Sequence, residues 1–480
     1  MYTRARRHDG VWAHAGCVAI VTLSLFTNDP IMTLIAGGVL MTPLYLWLGT
    51  SEGRHTSLIL NPLSFYFLWY VVGFGLSPLY AAYLIHRDGF ISFAVVSVPP
   101  HDIAIGYVLC LAGSVALHAG MQLLRPQPDQ SRLGVHTPEY MAEILLAMGL
   151  IGIAMLVRPS TFQALGNLAR PLQVAPLTSL VIFGLLGHEY FRLRRDAFAL
   201  MFIAGTAVLF VINVHFGSKA LLMFCLLPLF WMVLLRRNLR RWFPAVLLLL
   251  IAFYLLVIAP TVRRARVTAL SQDETPASHL MHSFSLPAHN AVGMLPDQAD
   301  DFLRRQFDPT AVAFVVGEVE RSGYQMGATM RYAAYAFIPR ILWPDKPALT
   351  RGAWFYAYVG GSPRESEATS SLGITAVGEL YWNFGVAGVM AGMFVIGCGY
   401  GLLWRLAGVN PLTRPLHMLL YVLVSIYCMI DMPEAVTVFA AIVSNLLMFG
   451  SLFLLFNQQR DFKPRSRFLV PQVRIVPRAP

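Results

Sequence analysis

Arg331, Arg340 and Lys346 stand in one stretch, MRYAAYAFIPRILWPDKP, residues 330 to 347, that is otherwise apolar and stiff. Pro339, Pro344 and Pro347 fix the backbone. Pro339 ends or kinks any helix that reaches it, so Arg340 follows the break. A guanidinium fork can hold two oxygens of a phosphate or diphosphate together, whereas an ammonium offers charge without the fork. The stretch suits two jobs. One is an anion-binding turn at a lipid boundary. The other is an anchor whose cations snorkel to water while Trp343 and the tyrosines sit at the interface. Arg263, Arg264 and Arg266 in APTVRRARV, 259–267, form a second group of cations. In VHFGSKALL, 214–222, the Gly217-Ser218 turn puts Lys219 at a helix N-terminus, an anion-friendly place. A snorkelling turn lysine is the plainer reading there.

Proton transfer needs a different set. His279, His282 and His289 lie in SHLMHSFSLPAHN, and any of them could act as a general base, although loop histidines are more often solvated. Glu379 in GELYWNFG is a carboxylate at the outer entrance of an apolar run, which makes it a functional candidate. Asp29, Asp431 and Glu434 fall on the same side. There is no HExxH, no compact Cys/His spacing and no Asp-x-Asp pair, so no metal site is expected. Walker and Rossmann fingerprints are missing too. A cytoplasmic nucleotide-sugar enzyme and an ATP-driven pump therefore find no support, and no cofactor is expected.

The elements that position these residues follow from composition. Of 480 residues, 56% are hydrophobic and 13% charged, and the mean hydropathy is +0.59. A soluble domain cannot bury that much apolar surface, so an integral membrane protein is expected. The net charge of +11 does not indicate nucleic acid, because Lys and Arg sit in short runs between apolar segments. The five cysteines lie inside apolar segments and read as buried thiols. The N-terminal arginines and the apolar run after them lack a small-residue cleavage site, so they read as a retained first helix.

Apolar runs of spanning length occur near 11–28, 31–48, 59–85, 102–123, 141–157, 174–191, 197–215, 219–235, 242–260, 383–404, 414–430 and 435–456. The expected fold is an all-α polytopic membrane protein of about twelve transmembrane helices. Nine helices occupy residues 1–260, a large loop with a partly membrane-inserted segment occupies 261–380, three helices occupy 381–456, and a basic tail occupies 457–480. Arg54, Arg125, Arg132, Arg192, Arg194, Arg195, RRNLRR at 236–241, Arg405 and Arg414 all fall on the N-terminal side. The positive-inside rule then makes both termini cytoplasmic and puts the large loop outside. Gly388/Gly392 and Gly397/Gly401 form GxxxG pairs suited to helix packing. A transporter should carry ionisable residues at mid-membrane, and here the polar residues are expected to collect at the outer mouth.

The stretch IPRILWPDKP, followed after a variable segment by GELYWNFGVAGVMAG, resembles the Wzy-type polysaccharide polymerases, and the GSK turn at 217–219 is similar to a turn of that family. The family usually has Arg where Lys219 stands. The resemblance covers the topology loosely and residues 331–401 best. It implies a GT-C-like membrane fold in the bacterial inner membrane. It also implies undecaprenyl-diphosphate-linked oligosaccharides as substrates at the periplasmic face, transfer of the growing glycan onto a new repeat unit, and no metal. A chain-length regulator and a flippase are the partners it implies. On this reading Arg340 and Lys346, with Arg263, Arg264, Arg331 and Lys219, hold the leaving diphosphate. Glu379 and His282 are the candidates for the acceptor's base. A ligase-type glycosyltransferase shares the carrier and the chemistry.

Overall fold

The computed structural model describes residues 2–53, 61–93, 95–126, 309–335, 338, 343, 351–368, 371–407 and 434–455. The expected spans between 141 and 260 and at 414–430 lie outside the described residues, as do the loop from 261 to 308 and the basic tail. Five helices are long and apolar enough to cross a membrane: Asp9–Thr27, Pro30–Ser51, Pro62–Asp88, Pro100–Leu124 and Ala376–Ala407. They match the first four expected runs and the tenth. The helix Ala435–Leu455 matches the twelfth.

Helix ends explain several residues that looked chemical. α1 (Tyr2–Leu23) closes in a short 3-10 turn. Asn28 then takes the left-handed conformation, with φ 55°. Asp29 accepts from the Ile31 amide at 2.9 Å, so it caps α2 (Pro30–Gly53) with Pro30 at the first helical position. Asn61 caps α3 (Pro62–Tyr70) in the same way. A π-turn, Val71–Leu76, joins α3 to α4 (Ser77–Asp88). Its loosened carbonyls are met by the Ser77 hydroxyl on Gly73 and by the Tyr107 hydroxyl on Phe74 at 2.7 Å. A small hairpin follows, β1 (Ile91–Phe93) paired antiparallel with β2 (Val96–Val98). It is the one departure from all-α among the described residues. α5 (Pro100–Leu124), α6 (Pro309–Ser322), α7 (Tyr332–Tyr335), α8 (Gly352–Tyr358), α9 (Ala376–Ala407) and α10 (Ala435–Leu455) complete the described elements.

The centre of the bundle is the seam between α5 and α9. Glycines let the two backbones touch. A Cβ at Gly397 would strike the Leu117 carbonyl, and one at Gly401 would lie 2.8 Å from the Met121 carbonyl oxygen. From the α5 side, Gly120 meets the α9 backbone at Phe394 and Cys398. The Gly397/Gly401 pair thus packs as its spacing predicts. In lipid, such close approach replaces the hydrophobic drive that is missing between apolar helices.

The Gly388/Gly392 pair does something else. A Cβ at Gly388 would sit 2.7 Å from the Leu380 carbonyl oxygen, and one at Gly392 would strike the Leu380 side chain. In a straight helix, residues 380 and 392 would be about 18 Å apart. Gly113 of α5 likewise faces Val377, Val389 and Met393 together. α9 therefore reverses. Its turning point is Gly385, at φ 65° and ψ −155°, a region open essentially to glycine alone. Residues 376–384 form a short leg that folds back on 386–407. The second leg is the one that spans: its 22 residues reach about 33 Å. The tenth span is thus preceded by a re-entrant leg, where the sequence suggested a plain entrance.

α5 and the second leg run in the same direction. Arg125 and Arg405 consequently lie at one end of the bundle. Gly10 of α1 meets Leu48 of α2 and His118 of α5 near that same end. α6 runs antiparallel to α5, with Gly106 against Pro309 and Ala313, and Gly317 against Asp102. The hairpin and the C-terminal end of α6 therefore mark the opposite end. This pairing of ends is the one the basic residues suggested.

Candidate functional site

The short leg of α9 places Glu379 in the interior, 2% exposed. Its Oε2 accepts from the backbone amide of Val436 at 3.0 Å. Val436 lies in the first turn of α10, so Glu379 caps the N-terminus of a helix that follows it by 57 positions. A carboxylate there meets an orphan N–H and the positive end of the helix dipole. Glu434, also buried, stands just before the same helix and accepts from the Thr437 hydroxyl at 3.2 Å. Asn383, one turn beyond Glu379 and wholly buried, donates to the Glu379 carbonyl at 2.7 Å and to the Thr329 hydroxyl at 2.6 Å. That leaves the Thr329 proton free for the Glu379 carboxylate, with which it also bonds. The loop 323–331 is further tied to the reversal by the Gln325 amide on the Trp382 carbonyl, at 2.8 Å. Two buried polar atoms beside this junction, Trp382 Nε1 and Asn383 Oδ1, have no partner among the described residues.

Above the reversal lies an aromatic cluster. Phe93 of the hairpin, Phe314 of α6, Phe355 and Tyr358 of α8 and Trp382 pack ring to ring at 5.3 to 6.5 Å. Tyr358 donates to Glu318 at 2.7 Å. Burial, and then that bond to an anion, push its phenol up to about 12. At the edge of the cluster sit two arginines. The Arg351 guanidinium lies 3.7 Å from the Trp354 ring centre and 4.8 Å from that of Tyr332. Arg331 lies 5.3 Å from the same Tyr332 ring. Its bond to the Tyr332 hydroxyl raises the guanidinium and lowers the phenol. Two cations thus share one ring. Among the described residues the ion pairs are Arg87–Asp88, Arg321–Glu318 and Arg364–Glu367, and neither Arg331 nor Arg351 takes part in one. A guanidinium stacked on a ring still carries N–H donors at its edge that an anion can meet, although one of those of Arg331 goes to the Tyr332 hydroxyl.

Of the residues picked from the sequence, the structure brings Arg331 and Glu379 into this end of the molecule. Arg263, Arg264, Lys219, His282, Arg340 and Lys346 lie outside the described residues. Trp343, three residues from both Arg340 and Lys346 in sequence, places its ring 5.3 Å from that of Tyr335. Arg351 is the addition. The sequence showed it as one of ten arginines between 261 and 380, and only the fold sets it beside Arg331. Thr329 and Asn383 were not expected. Neither was a buried pair of histidines. His14 and His118, both 0% exposed, meet inside the bundle toward its Arg125 end, away from the aromatic cluster. The expectation that polar residues gather only at one mouth is corrected by them.

These features define a helical membrane protein with a broken helix and a cation–aromatic cluster at one end. The chain belongs to the family of the domain of unknown function DUF8712, whose model matches residues 89–407. The match starts at Gly89, which closes α4, and ends at the last residue of α9. No curated protein and no solved structure matches the chain.

Proposed function

We propose that the protein is a metal-independent polysaccharide polymerase of the bacterial inner membrane. It transfers a growing undecaprenyl-diphosphate-linked glycan onto a new lipid-linked repeat unit at the periplasmic face. The observation that carries this reading is the placement of Arg331 and Arg351 on Tyr332, free of carboxylate partners among the described residues. They flank in sequence the stretch that holds Arg340 and Lys346. A leaving diphosphate gathers negative charge where lipid meets water, and fixed cations at that point stabilise it most. Arg340 and Lys346 act there with Arg331 and Arg351, and Arg263, Arg264 and Lys219 are the further diphosphate ligands. Glu379 or His282 accepts the acceptor's proton.

A second reading has two observations in its favour. Re-entrant helices and intramembrane histidines also occur in transporters, and a carrier of lipid-linked oligosaccharide would use them. One assay separates the readings. Full-length protein in vesicles is given purified lipid-linked repeat unit, and the products are run on a gel. A ladder of repeats is expected. Single repeats that change only their side of the membrane would establish the carrier instead, and transfer to a lipid A acceptor without a ladder would establish the ligase.

A further inference from the structure

The polar residues least expected from the sequence form one chain along α5. Ser114, His118, Gln122 and Arg125 follow each other at steps of four, four and three, so they share a face of the helix. The Arg125 Nη1 donates to Gln122 Oε1 at 2.7 Å. Gln122 Nε2 meets His118 Nε2 at 3.3 Å. His118 Nδ1 meets His14 Nδ1 of α1 at 3.4 Å. His14 Nε2 meets Ser114 Oγ at 3.1 Å and the Tyr45 hydroxyl of α2 at 3.2 Å. Tyr45 and Ser114 meet at 3.1 Å, and Ser114 donates to the Leu111 carbonyl at 2.8 Å. His14, Tyr45, Ser114 and His118 are all buried.

The donors can be counted from the charged end. Arg125 has only donors, so it holds the oxygen of Gln122 toward itself and turns the amide nitrogen toward His118. His118 Nε2 must then accept, and its proton sits on Nδ1. That proton points at His14 Nδ1, which must also accept. The proton of His14 therefore sits on Nε2 and goes to Ser114 and Tyr45. Every bond in the chain runs the same way. An amide does not pass protons, so the chain is no route for them from the Arg125 end. It has a different consequence for α1. His14 is one of three buried residues on α1, with Val18 and Val21; Ala13 and Cys17 pack only partly against the core, and Trp12, Ile20 and Leu23 are exposed. In lipid, apolar contact alone holds such a helix weakly.

We infer that Arg125 sets the tautomers of two buried histidines through Gln122, and that this directed chain is what fastens α1 to α2 and α5. The chain has one other self-consistent order, in which the bonds from position 122 through His118 and His14 to Tyr45 are reversed while Arg125 still donates to position 122. It requires an acceptor at position 122. Gln122→Glu supplies one, since a carboxylate accepts from Arg125 and from His118 Nε2–H alike. His118 Nδ1 then accepts from His14 Nδ1–H, and His14 Nε2 accepts from Tyr45.

The test uses full-length protein in bilayers with ¹⁵N-labelled histidine, the two signals being assigned by their loss in His14→Asn and His118→Asn. In the wild type, His118 is expected as the Nδ1–H form and His14 as the Nε2–H form, both neutral at pH 7. In Gln122→Glu both assignments are expected to swap. The opposite tautomers in the wild type, a charged ring at pH 7, or an unchanged spectrum in Gln122→Glu would each overturn the inference. Should Gln122→Glu not fold, Arg125→Met serves: it removes the donor on the Gln122 oxygen, and mixed tautomers are expected, against unchanged ones if Arg125 has no say. The attachment of α1 is read by cysteines at Gly10 and Leu48. Their crosslinking rate is expected to fall roughly tenfold in His118→Phe, which removes the partner of His14. An unchanged rate would show that packing alone holds the helix.

Discussion

Replacing Gly385 by alanine tests the reversal of α9, on which the whole candidate site depends. At φ 65° and ψ −155° an L-residue is strained by about 1–3 kcal/mol. The added Cβ would also lie 3.2 Å from the Tyr324 hydroxyl and 3.3 Å from its ring, so Tyr324 must shift by a few tenths of an ångström. Gly385→Ala is therefore expected to destabilise the protein by about 1–3 kcal/mol, roughly a five- to 150-fold change in the unfolding equilibrium. Gly373→Ala is the control. Nothing stands within 4 Å of a Cβ there, and a change within about 0.5 kcal/mol is expected. The sign carries the argument. Were residues 376–407 a straight helix, glycine to alanine at 385 would stabilise it by roughly 1 kcal/mol. The assay is equilibrium unfolding of the full chain in mixed micelles, read by tryptophan fluorescence. A second reading avoids energetics: cysteines at Leu380 and Gly392 are expected to crosslink with a short reagent, since a Cβ at 392 would meet the Leu380 side chain. Stabilisation by Gly385→Ala together with no crosslink would refute the reversal.

Four further outcomes are expected. Arg340→Ala should reduce repeat-unit addition about a hundred- to a thousandfold at matched expression, as for loss of one fixed charge donor. Arg340→Lys should restore it only in part, and near-normal activity in Arg340→Ala would leave the stretch an anchor. Glu379→Gln keeps an oxygen for the Val436 amide and should fold. It should lose activity if the carboxylate is the base and keep it if capping is its whole role, whereas Glu379→Ala should cost about 1–3 kcal/mol by stranding a buried N–H. A cysteine at Ser278 should react with an impermeant thiol reagent in spheroplasts while one at Asn238 should not, and the reverse pattern would invert the orientation. The phenol of Tyr358, raised by burial and by Glu318 to about 12, favours the fold in its neutral form. Its contribution is complete below about pH 10, the ordinary tyrosine value, and is lost as pH rises through about 12. The stability gap between wild type and Tyr358→Phe should therefore narrow across that window.

The spans were legible because lipid leaves the chain little choice. A helix crossing hydrocarbon must be apolar for its full length, and every described spanning helix falls where an apolar run was read. The contact of Gly397 and Gly401 with α5 was legible for a related reason, since small residues at helical spacing mark close approach. The reversal was not. GELYWNFGVAGVMAG is apolar on both sides of Gly385, and hydropathy is blind to backbone direction. Gly385 is also one of seven glycines between 378 and 401, so its special torsions leave no trace in the sequence.

The polar residues show where the limit lies. Glu379 was conspicuous as a charge, but its partner is the backbone amide of Val436, and a backbone amide is the same at every position of a sequence. His14 and His118 were inconspicuous, because one histidine in a run of twenty apolar residues barely changes the average. Their meaning comes from facing each other across 104 positions, with Tyr45 and Ser114 closing the circuit. One rule governs both cases. A polar group survives in an apolar interior only when another part of the fold answers it. A candidate catalyst read from sequence must therefore be weighed against the orphan groups that helix ends and reversals create. Glu379 faces such a claim from α10. Arg331 and Arg351 form an ion pair with no described carboxylate, and this is why the case for anion binding rests more firmly on them than the case for a base rests on Glu379.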